Sequence, residues 1–377
     1  MRFDLVATTP EEEKLRAEVR EFLALELPLE RRVALGQAGD GYAPDFSRKL
    51  AARGWVAMAL PVEYGGRGAT AVERFIVAEE LMAAQAPISA HWIADRQTAP
   101  SILSHGTEAQ KQRFLPAIAA GECYFAIGMS EPEAGSDLAA VRTRATRVDG
   151  GWKVSGTKVW TTWAQHAHWF AVLCRTSDEG AKHEGLSQLL VDLKSPGVTV
   201  SPIKLLDGDD DFCEVHLDDV FVPDDLVLGA VGSGWPQVTS ELSYERYGPE
   251  RSMSAWGVVR ALLEIAGPDA NERVASQVAR LIARQRVIRQ LSFAIARSVD
   301  NGARPATEAA VVKDLGTVFE QHAVEIVRDL LEAELDPSRT DRMSAVLARA
   351  VLTQPIFTIR GGTTEVLRSI LAKGLRS

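Results

Sequence analysis

The hydrophobic period of this chain changes twice along its length, and this restricts the fold more than any other feature. From about Pro10 to Gly121 apolar residues recur at helical spacing. In EEEKLRAEVREFLALEL this spacing places four apolar residues on one face, namely Leu15, Val19, Phe22 and Leu23. This pattern predicts a helical N-terminal domain over residues 1–121.

The middle of the chain alternates with a period of two. Its apolar runs are short, rich in Val, Thr and Trp, and separated by Gly, Pro and Asp turns: GWKVSGTKVWTTW, HWFAVLCRT, SQLLVDL, VTVSPIKL and CEVHLDDVFV. Strands that follow one another without helices predict an antiparallel β-barrel or sandwich over residues 122–231. No strand–GxGxxG–helix unit is present, and GGRGAT at 65–70 is interpreted as a turn between helices.

The helical period returns towards the C-terminus. One long amphipathic helix is marked by Val274, Val278, Leu281, Val287 or Ile288, Leu291 and Ile295. TEAAVVKDLGTVFEQHAVEIVRDLL indicates another, and MSAVLARAVL and TEVLRSILAKGL add two more. Long helices with short connections predict a four-helix bundle over residues 232–377. The predicted fold class is therefore α+β, mainly α, with helical, β and helical-bundle domains in that order.

Composition and charge exclude several function classes. The formal net charge of −9 argues against nucleic acid as a partner. The N-terminus has neither a basic start nor an apolar run, and WVAMALPV is far shorter than the roughly 20 residues of a membrane span. Three cysteines without CxxC spacing are typical of a reduced, cytoplasmic protein. We expect no membrane association and no disulfides.

Metal and hydrolase motifs are weak or missing. His166 and His168 could form a metal pair, but no third ligand has convincing spacing. The run DGDDDF at 207–212 does not match a calcium loop, and there is no GxSxG motif. We expect no metal site and no serine hydrolase.

Five motifs in order resemble those of one enzyme family. They are LAARGWVAMALPVEYGGRG, MSEPEAGSDLAAVRTRATR, GWKVSGTKVWTTWAQHAHWF, DDVFVPDDLVLG and GGTTEVLRSILA. On these motifs the chain resembles the acyl-CoA dehydrogenases almost end to end, and it is identified as a member of a divergent branch. The resemblance implies a flavoprotein oxidoreductase of lipid β-oxidation that uses FAD to convert an acyl-CoA to the enoyl-CoA.

The motif MSEPEAGSD implies the first group of cofactor contacts. Small and hydroxyl residues in a turn at a sheet edge let backbone N–H groups meet a flavin ring, and let Gly135 and Ser136 approach a pyrophosphate. By resemblance, Met129 and Ser130 contact the isoalloxazine ring and Ser136 the phosphates. Ser136 is also assigned to substrate binding.

Two further segments complete the implied cofactor site. Trp160 in KVWTTW is similar to a tryptophan that packs near the flavin, and Thr162 to a threonine that hydrogen-bonds N5. Thr363 and Glu365 match positions that touch the adenosine end or ribityl chain. Where the family commonly has Asn, this chain has Trp163.

The family's usual catalytic glutamate is absent, because its position is occupied by Gly361. In the family, the N–H of that residue donates to the thioester oxygen, and a backbone donor survives the loss of the side chain. Some family members carry the base on a bundle helix, at the glutamate of a Leu-x-x-Glu-Arg pattern. Here the pattern reads LSYER, so the resemblance implies Glu245 as the base and Arg246 as a neighbour that shapes its electrostatics or positions the substrate.

Other carboxylates are weaker candidates for the base. Glu241 and Glu250 flank Glu245 and are expected on other helical faces. Glu365 is implied in cofactor contact instead.

Two segments depart from the family pattern and widen the alternatives. SQVARLIARQRVIRQL and ELDPSRTDRMSAVLARAVLTQPIF lack the Phe-Gly signatures that bind the FAD of a neighbouring subunit, so the adenine-side contacts stay open. The leading hypothesis is a homodimer or tetramer that oxidises an acyl-CoA and passes electrons to an electron-transfer flavoprotein. The alternatives are a non-catalytic or half-site subunit of a heteromeric dehydrogenase, and a flavin monooxygenase or oxidase. The acyl class stays open.

Overall fold

The computed structural model describes residues 1–5, 7–28, 41–331 and 342–375, with the side chains of residues 242–245 and 342 outside the description. The chain divides into two compact units. The first unit combines Met1–Gly41, Thr70–Ile88 and Ser243–Ser377, and the second combines Tyr42–Ala69 and Ser89–Leu242. We refer to them below as the bundle unit and the sheet unit.

The described residues form twelve α-helices, joined by short 3-10 turns and one π-helical turn at Ala94–Thr98. In chain order they are α1 (Pro10–Glu26), α2 (Pro44–Ala52), α3 (Ala71–Ala83), α4 (Ser89–Ile93), α5 (Ala99–His105), α6 (Glu108–Ala119), α7 (Gly234–Glu245), α8 (Trp256–Ala266), α9 (Glu272–Asp300), α10 (Ala306–Leu331), α11 (Arg342–Thr353) and α12 (Thr364–Gly374).

Several helix starts are determined by local sequence. Helix α1 begins with a capping box in which Thr9 Oγ1 accepts the N–H of Glu12, and the Glu12 carboxylate accepts the N–H of Thr9. The same reciprocal pair starts α3 and α6. Each box satisfies backbone donors that the first helical turn leaves without a partner.

The part of the chain that the structure describes has eight strands, which lie in one sheet in the sheet unit. In chain order they are β1 (Phe125–Gly128), β2 (Arg144–Val148), β3 (Gly151–Thr162), β4 (Trp169–Arg175), β5 (Leu186–Asp192), β6 (Val198–Ile203), β7 (Phe212–Pro223) and β8 (Val227–Leu228). Their order is β6-β7-β3-β2-β4-β5-β8, with β1 paired to β4. The predicted succession of helical, β and helical regions is confirmed.

The sheet differs from the expectation in one respect. Five pairings are antiparallel, as predicted, but β4 takes both β1 and β2 as parallel partners. The hydrogen-bonded path also does not close on itself, so the sheet is open and mixed rather than a barrel or sandwich. The parallel pairs arise because β1 is followed by the β2–β3 hairpin before the chain returns as β4, a crossover that alternation alone does not reveal.

The bundle unit combines an apolar core with a buried network of charges. The predicted apolar face of α1 is buried at Leu15, Val19, Phe22 and Leu23, and α9 buries Ile288 while Val287 is 59% exposed. Arg16 of α1 donates to Glu79 of α3 over 2.8 Å and also to Glu80. Arg289 of α9 donates to Glu79 over 2.9 Å. Because each buried charge meets an opposite one, their attraction offsets part of the desolvation cost, and the ion pairs join α1, α3 and α9.

Candidate active site

The turn after β1, which carries Met129 and Ser130, is hydrogen-bonded to β3. The ammonium of Lys158 donates to the carbonyl oxygen of Met129 over 3.0 Å and to Glu131 Oε1 over 2.8 Å. The N–H of Val159 donates to the carbonyl oxygen of Ser130 over 3.0 Å. Two predicted cofactor residues are therefore fixed beside β3, the strand that carries the next two.

Both charged groups at this turn are buried. Lys158 has no exposed surface, and Glu131 also accepts the N–H groups of Arg142 and Thr143, over 2.6 and 2.8 Å. Burial lowers the pKa of the Lys158 ammonium. Burial opposes ionisation of Glu131, but the charge and hydrogen bond of Lys158, with the donors at Thr143 and Arg142, lower the pKa of Glu131 below its ordinary value. The contact between Lys158 and Glu131 and the two backbone hydrogen bonds to Glu131 hold the turn.

Two tryptophans near the end of β3 adopt left-handed backbone conformations. Trp160 has φ +60° and Trp163 has φ +54°, and the register against β7 shifts between Lys158 and Thr161. The bulge leaves Trp160 56% exposed, with its ring edge-to-face with Phe212 at 6.2 Å. Left-handed φ is uncommon for bulky residues and clusters at functional sites. Strain therefore marks the strand end where the cofactor was predicted.

Gly135 and Ser136 lie in an exposed turn next to the Met129–Ser130 segment. Glu131 and Ala134 exchange backbone hydrogen bonds of 2.8 and 3.1 Å, which closes the turn before Gly135. A Cβ on Gly135 would meet nothing within 4 Å, so the space over this glycine is open within the described residues. The sheet unit thus carries six predicted cofactor residues on the turn after β1 and on the end of β3, namely Met129, Ser130, Gly135, Ser136, Trp160 and Thr162.

The histidines considered for a metal pair take part in aromatic contacts. His166 stacks on Tyr42 at 4.3 Å between ring centroids, and His168 on Tyr124 at 5.2 Å. His168 Nδ1 also accepts the N–H of Tyr124 over 3.0 Å. Within the described ranges no group of three or more His, Cys, Asp or Glu side chains could hold a metal ion.

In the bundle unit, the predicted oxygen-binding residue Gly361 lies in a turn before α12. Gly361 has φ +66° and Gly362 has φ +97°, a pair of left-handed residues that favours glycine. The fully buried Lys313 of α10 donates to the carbonyl oxygens of Gly362 and Phe357, over 2.9 and 3.5 Å. The turn is therefore attached to α10.

A second buried charge on α10 contacts the residue before Gly361. Glu320 has no exposed surface and accepts the N–H of Ser254 over 2.7 Å and a guanidinium N–H of Arg360 over 3.3 Å. Arg360 also donates to the carbonyl oxygen of Glu250 over 3.2 Å and to Ser254 Oγ. Burial raises the pKa of Glu320 above its ordinary value, against the opposing effects of Arg360 and Ser254.

The space in front of Gly361 is occupied by the guanidinium of Arg251. A Cβ on Gly361 would lie 3.1 Å from Arg251 Nη2 and 3.2 Å from its Cζ, and Arg251 itself is buried. A glutamate at this position would therefore need a left-handed backbone and would meet a guanidinium directly.

The proposed base lies at the end of α7. Glu245 is the last residue of that helix, and its side chain lies outside the described residues. The following residue, Arg246, is buried, and its Nη2 lies 3.8 Å from where a Cβ on Gly362 would stand. Glu250 was expected on another face of the same helix, but α7 ends at Glu245 and Glu250 lies in a separate 3-10 turn, Pro249–Arg251.

Glu241, the other flanking carboxylate, is buried in the sheet unit. Its Oε1 accepts a 3.4 Å hydrogen bond from Gln188 Nε2 of β5.

Thr363 and Glu365 begin α12, directly after the two left-handed glycines. Thr363 Oγ1 accepts the N–H of Val366 over 3.3 Å and caps the helix. Glu365 is exposed in the first turn, where backbone and Thr363 hydrogen bonds lower its pKa. The bundle unit thus brings Arg246, Gly361 and Thr363 into one neighbourhood.

Comparison with known proteins decides the family. Three family models match in order: acyl-CoA dehydrogenase N-terminal domain at residues 9–122, middle domain at 126–220 and C-terminal domain at 232–376. The chain belongs to the acyl-CoA dehydrogenase family. It is therefore a member of an oxidoreductase family, and the predicted resemblance is confirmed.

Several curated proteins that are similar to this chain are named acyl-CoA dehydrogenases. The chain is 36% identical over 374 residues to acyl-CoA dehydrogenase FadE34 of Mycobacterium tuberculosis (strain ATCC 25618 / H37Rv), covering 96% of this chain but 50% of FadE34. It therefore spans about half the length of that relative. It is 33% identical to FadE29 of the same organism, covering 97% of this chain and 96% of FadE29.

Two solved structures are similar over nearly the whole chain. The Tcur3481-Tcur3483 steroid ACAD has a TM-score of 0.87 and 29% sequence identity, and the match covers 98% of this chain and 98% of that one. The ChsE4-ChsE5 complex from Mycobacterium tuberculosis has a TM-score of 0.84 and 32% identity, with coverage of 100% of this chain and 99% of that one.

Acyl-CoA dehydrogenases are flavoproteins, so FAD is the implied cofactor. The sheet-unit residues fit such a group. The half-exposed indole of Trp160 offers a flat apolar surface, and the open turn at Gly135 and Ser136 offers peptide and hydroxyl donors suited to a phosphate.

No described helix is long and apolar enough to cross a membrane.

Sequence reasoning missed the residues that hold these turns. Glu131 could have been found, because it lies inside the quoted SEPEAGSD motif. Lys158 and Lys313 had a weaker signal, a single lysine among apolar or strand residues. Nothing in the sequence pointed to Arg251 beside Gly361, since that contact depends on tertiary structure.

Proposed function

We propose that this chain catalyses the FAD-dependent α,β-dehydrogenation of an acyl-CoA thioester to the enoyl-CoA, with Glu245 as the base that takes the α-proton. One observation carries the assignment of the base. Arg246, the residue after Glu245, places its guanidinium 3.8 Å from the Cβ position on Gly362. The segment that ends α7 therefore reaches the turn where the family usually has its glutamate, although the two are far apart in sequence.

The proton step requires a donor for the thioester oxygen and a basic carboxylate. Removal of a weakly acidic α-proton leaves negative charge on that oxygen, and a fixed N–H donor stabilises it. We assign this donor to the N–H of Gly361. We assign the base to Glu245, the glutamate of the Leu-x-x-Glu-Arg pattern. A base for this step needs a raised pKa, which an apolar pocket gives to a carboxylate. Arg246 would position the substrate.

The overall reaction balances as a two-electron oxidation of the substrate. The α-carbon loses a proton to Glu245, the β-carbon loses a hydride, and a double bond forms between them. FAD, when bound, supplies the acceptor for that hydride. We assign its contacts to Met129, Ser130, Gly135, Ser136, Trp160, Thr162, Thr363 and Glu365, with Ser136 also near the substrate.

The acyl group that we propose is bulky and ring-containing. A structure named steroid ACAD is among those most similar to the chain, with 98% coverage of both chains. We propose an electron-transfer flavoprotein as the acceptor of electrons from the reduced enzyme, and assembly as a homodimer or tetramer.

A second function is favoured by Gly361 itself. A chain without the usual glutamate could be the half-site or non-catalytic subunit of a heteromeric dehydrogenase. The names of two similar structures each give a pair of chains, which supports this alternative. The two functions differ in whether the purified chain alone holds FAD and oxidises a thioester.

The test is anaerobic bleaching of the flavin absorbance by acyl-CoAs, measured by stopped flow. The panel would contain linear, branched and steroid side-chain thioesters, and the variants would be the parent and Glu245→Gln. We expect the parent to bleach and Glu245→Gln to retain FAD while bleaching about 10²–10⁴-fold more slowly, the usual contribution of a general base.

Glu272→Gln is the matched control, because Glu272 is an exposed glutamate in the first turn of α9. It should bleach like the parent. Equal bleaching by Glu245→Gln and the parent would contradict the assignment of the base. A parent that binds no flavin alone, but bleaches after coexpression with a related chain, would favour the half-site subunit.

A further inference from the structure

Helix α10 carries two fully buried residues of opposite charge on one face. Lys313 and Glu320 are seven residues apart, which is close to two helical turns, so their side chains leave the helix in nearly the same direction. Fully buried lysine and glutamate are rare in proteins unless they are paired or perform a function. The reaction proposed above uses neither side chain.

Lys313 contacts the segment that contains Gly361 at both of its ends. Its ammonium donates to the carbonyl oxygen of Phe357 over 3.5 Å, before the turn, and to that of Gly362 over 2.9 Å, after it. Hydrogen bonds from a charged donor are about twice as strong as neutral ones. The peptide that follows Gly362 is thereby attached to α10.

Glu320 fixes the other side of Gly361. It accepts an N–H of Arg360 over 3.3 Å, and the same guanidinium lies over the ring of Phe357, with its Cζ 4.9 Å from the ring centroid. The second oxygen of Glu320 accepts the N–H of Ser254, which anchors the carboxylate. The residues before and after Gly361 are therefore both bound to the same helix face.

This arrangement answers a physical requirement of the proposed reaction. Two consecutive glycines with positive φ form a flexible stretch of backbone. A donor to a developing oxyanion must instead be held to within about 0.5 Å. Attachment on both sides removes the freedom that the glycines introduce.

We propose that Lys313 and Glu320 are positioning residues that hold the N–H of Gly361 for the thioester oxygen. Neither is a catalytic residue, because both act through the backbone. The inference rests on the proposed function, in which Gly361 donates to that oxygen. It assigns to α10 a role in the chemistry in addition to its place in the bundle.

The test compares Lys313→Met, Glu320→Gln and the parent, all as holoenzymes. Met keeps an unbranched chain of similar length without the ammonium, and Gln keeps an oxygen that can accept from Ser254. The direct readout is the infrared difference spectrum of the bound thioester carbonyl. The probe is the panel acyl-CoA that bleaches the parent fastest, labelled with 13C at the carbonyl, because a hydrogen bond lowers the stretching frequency.

We expect a smaller shift of the carbonyl frequency in Lys313→Met than in the parent. Its kcat should fall about 10-fold or more, less than the 10²–10³-fold typical of deleting an oxyanion donor, while KM and FAD content stay near the parental values. Glu320→Gln should also reduce the carbonyl frequency shift and kcat, but by less than Lys313→Met does. Lys373→Met, which removes an exposed lysine from the last turn of α12, should leave both unchanged.

Parental carbonyl frequency and kcat in Lys313→Met would overturn the inference. Loss of FAD or of folding in both α10 variants would also overturn it, because the residues would then support the fold rather than the donor. If the parent itself shows no carbonyl shift and no bleaching, the proposed function fails first, and this inference fails with it.

Discussion

Two turns, one in each unit, are each held by a lysine with no exposed surface, and the two lysines contact the turns through different groups. Lys158 donates to the carbonyl oxygen of Met129 and forms an ion pair with Glu131 at 2.8 Å. Lys313 donates to the carbonyl oxygens of Gly362 and Phe357, and the buried carboxylate of Glu320 on the same helix accepts from Arg360.

The difference teaches how much each turn depends on its lysine. At the first turn, the lysine and the carboxylate compensate each other, so removing the lysine leaves a buried negative charge behind. At the second, removing the lysine takes a donor from the carbonyl oxygens of Gly362 and Phe357, and we expect a smaller loss there because a carbonyl group is neutral. Replacing the lysine of the first turn should therefore lower the stability of the protein more. Replacing the lysine of the second turn should have its main effect on kcat.

The largest effect is expected for Lys158→Met. Loss of the ammonium should destabilise the sheet unit by about 3–5 kcal/mol, because Glu131 remains buried without its partner. Lys313→Met should cost about 1–3 kcal/mol. The measurement is the urea midpoint of each variant, read by tryptophan fluorescence, together with FAD content.

Lys158→Met combined with Glu131→Gln is the control for this comparison. Removal of both charges should recover part of the lost stability. If the two lysine variants have equal midpoints, the contrast between the two turns is wrong.

An intermediate effect is expected for Gly361→Glu. The left-handed backbone should cost about 1–2 kcal/mol of stability. The new carboxylate would also meet the guanidinium of Arg251. This positive charge would lower the pKa of the carboxylate and make the carboxylate a poor base. In a Glu245→Gln background, Gly361→Glu should therefore not restore flavin bleaching at neutral pH.

Gly361→Ala in the same background separates backbone from charge. It carries the conformational cost without a carboxylate, so its stability should be close to that of Gly361→Glu. Restored bleaching in the Gly361→Glu double variant would mean that Arg251 moves aside and that the family's usual base position still functions in this chain.

The smallest effect is a difference in the sign of pH dependence between the turns. The pKa of Glu131 is held below its ordinary value of 4.5, so the stability it contributes is present above pH 4.5 and is lost as pH falls through its folded value. Burial raises the pKa of Glu320 above 4.5, so its contribution is present below pH 4.5 and is lost as pH rises through the raised value.

Urea midpoints of the parent, Glu131→Gln and Glu320→Gln from about pH 3 to about pH 7 would measure this. The stability advantage of the parent over Glu131→Gln should grow as pH rises. The stability advantage of the parent over Glu320→Gln should shrink as pH rises. Slopes of the same sign would show that the two carboxylates are not in opposite environments.

Sequence periodicity predicted the elements well where an element is long or half-buried. The α1 face of Leu15, Val19, Phe22 and Leu23 is buried, and the five predicted strand runs correspond to β3–β7. Short strands were not predicted. Strands β1, β2 and β8 have four, five and two residues, respectively, which is too few for an alternating pattern to be recognised. On α9 the pattern allowed Val287 or Ile288, and only packing selected Ile288.

The candidate site was predicted unevenly for the same reason. Its local parts, the turn at Met129–Ser136 and the strand end at Trp160, follow from motifs of a few residues. The supports of that site join segments that are distant in sequence, as Lys158 does with Met129 and Lys313 with Gly362. No local pattern encodes which carbonyl a buried ammonium will meet.

The sequence by itself determined the succession of helical and β regions, the family, and the absence of a side chain at position 361. These follow from periodicity and motif, which are properties of neighbouring residues. Only the tertiary structure decided that Arg251 fills the space beside Gly361 and that α10 holds both sides of that glycine. Buried charges find their partners across the fold, because the cost of desolvating an ion is offset only where the packed chain brings donors and acceptors together.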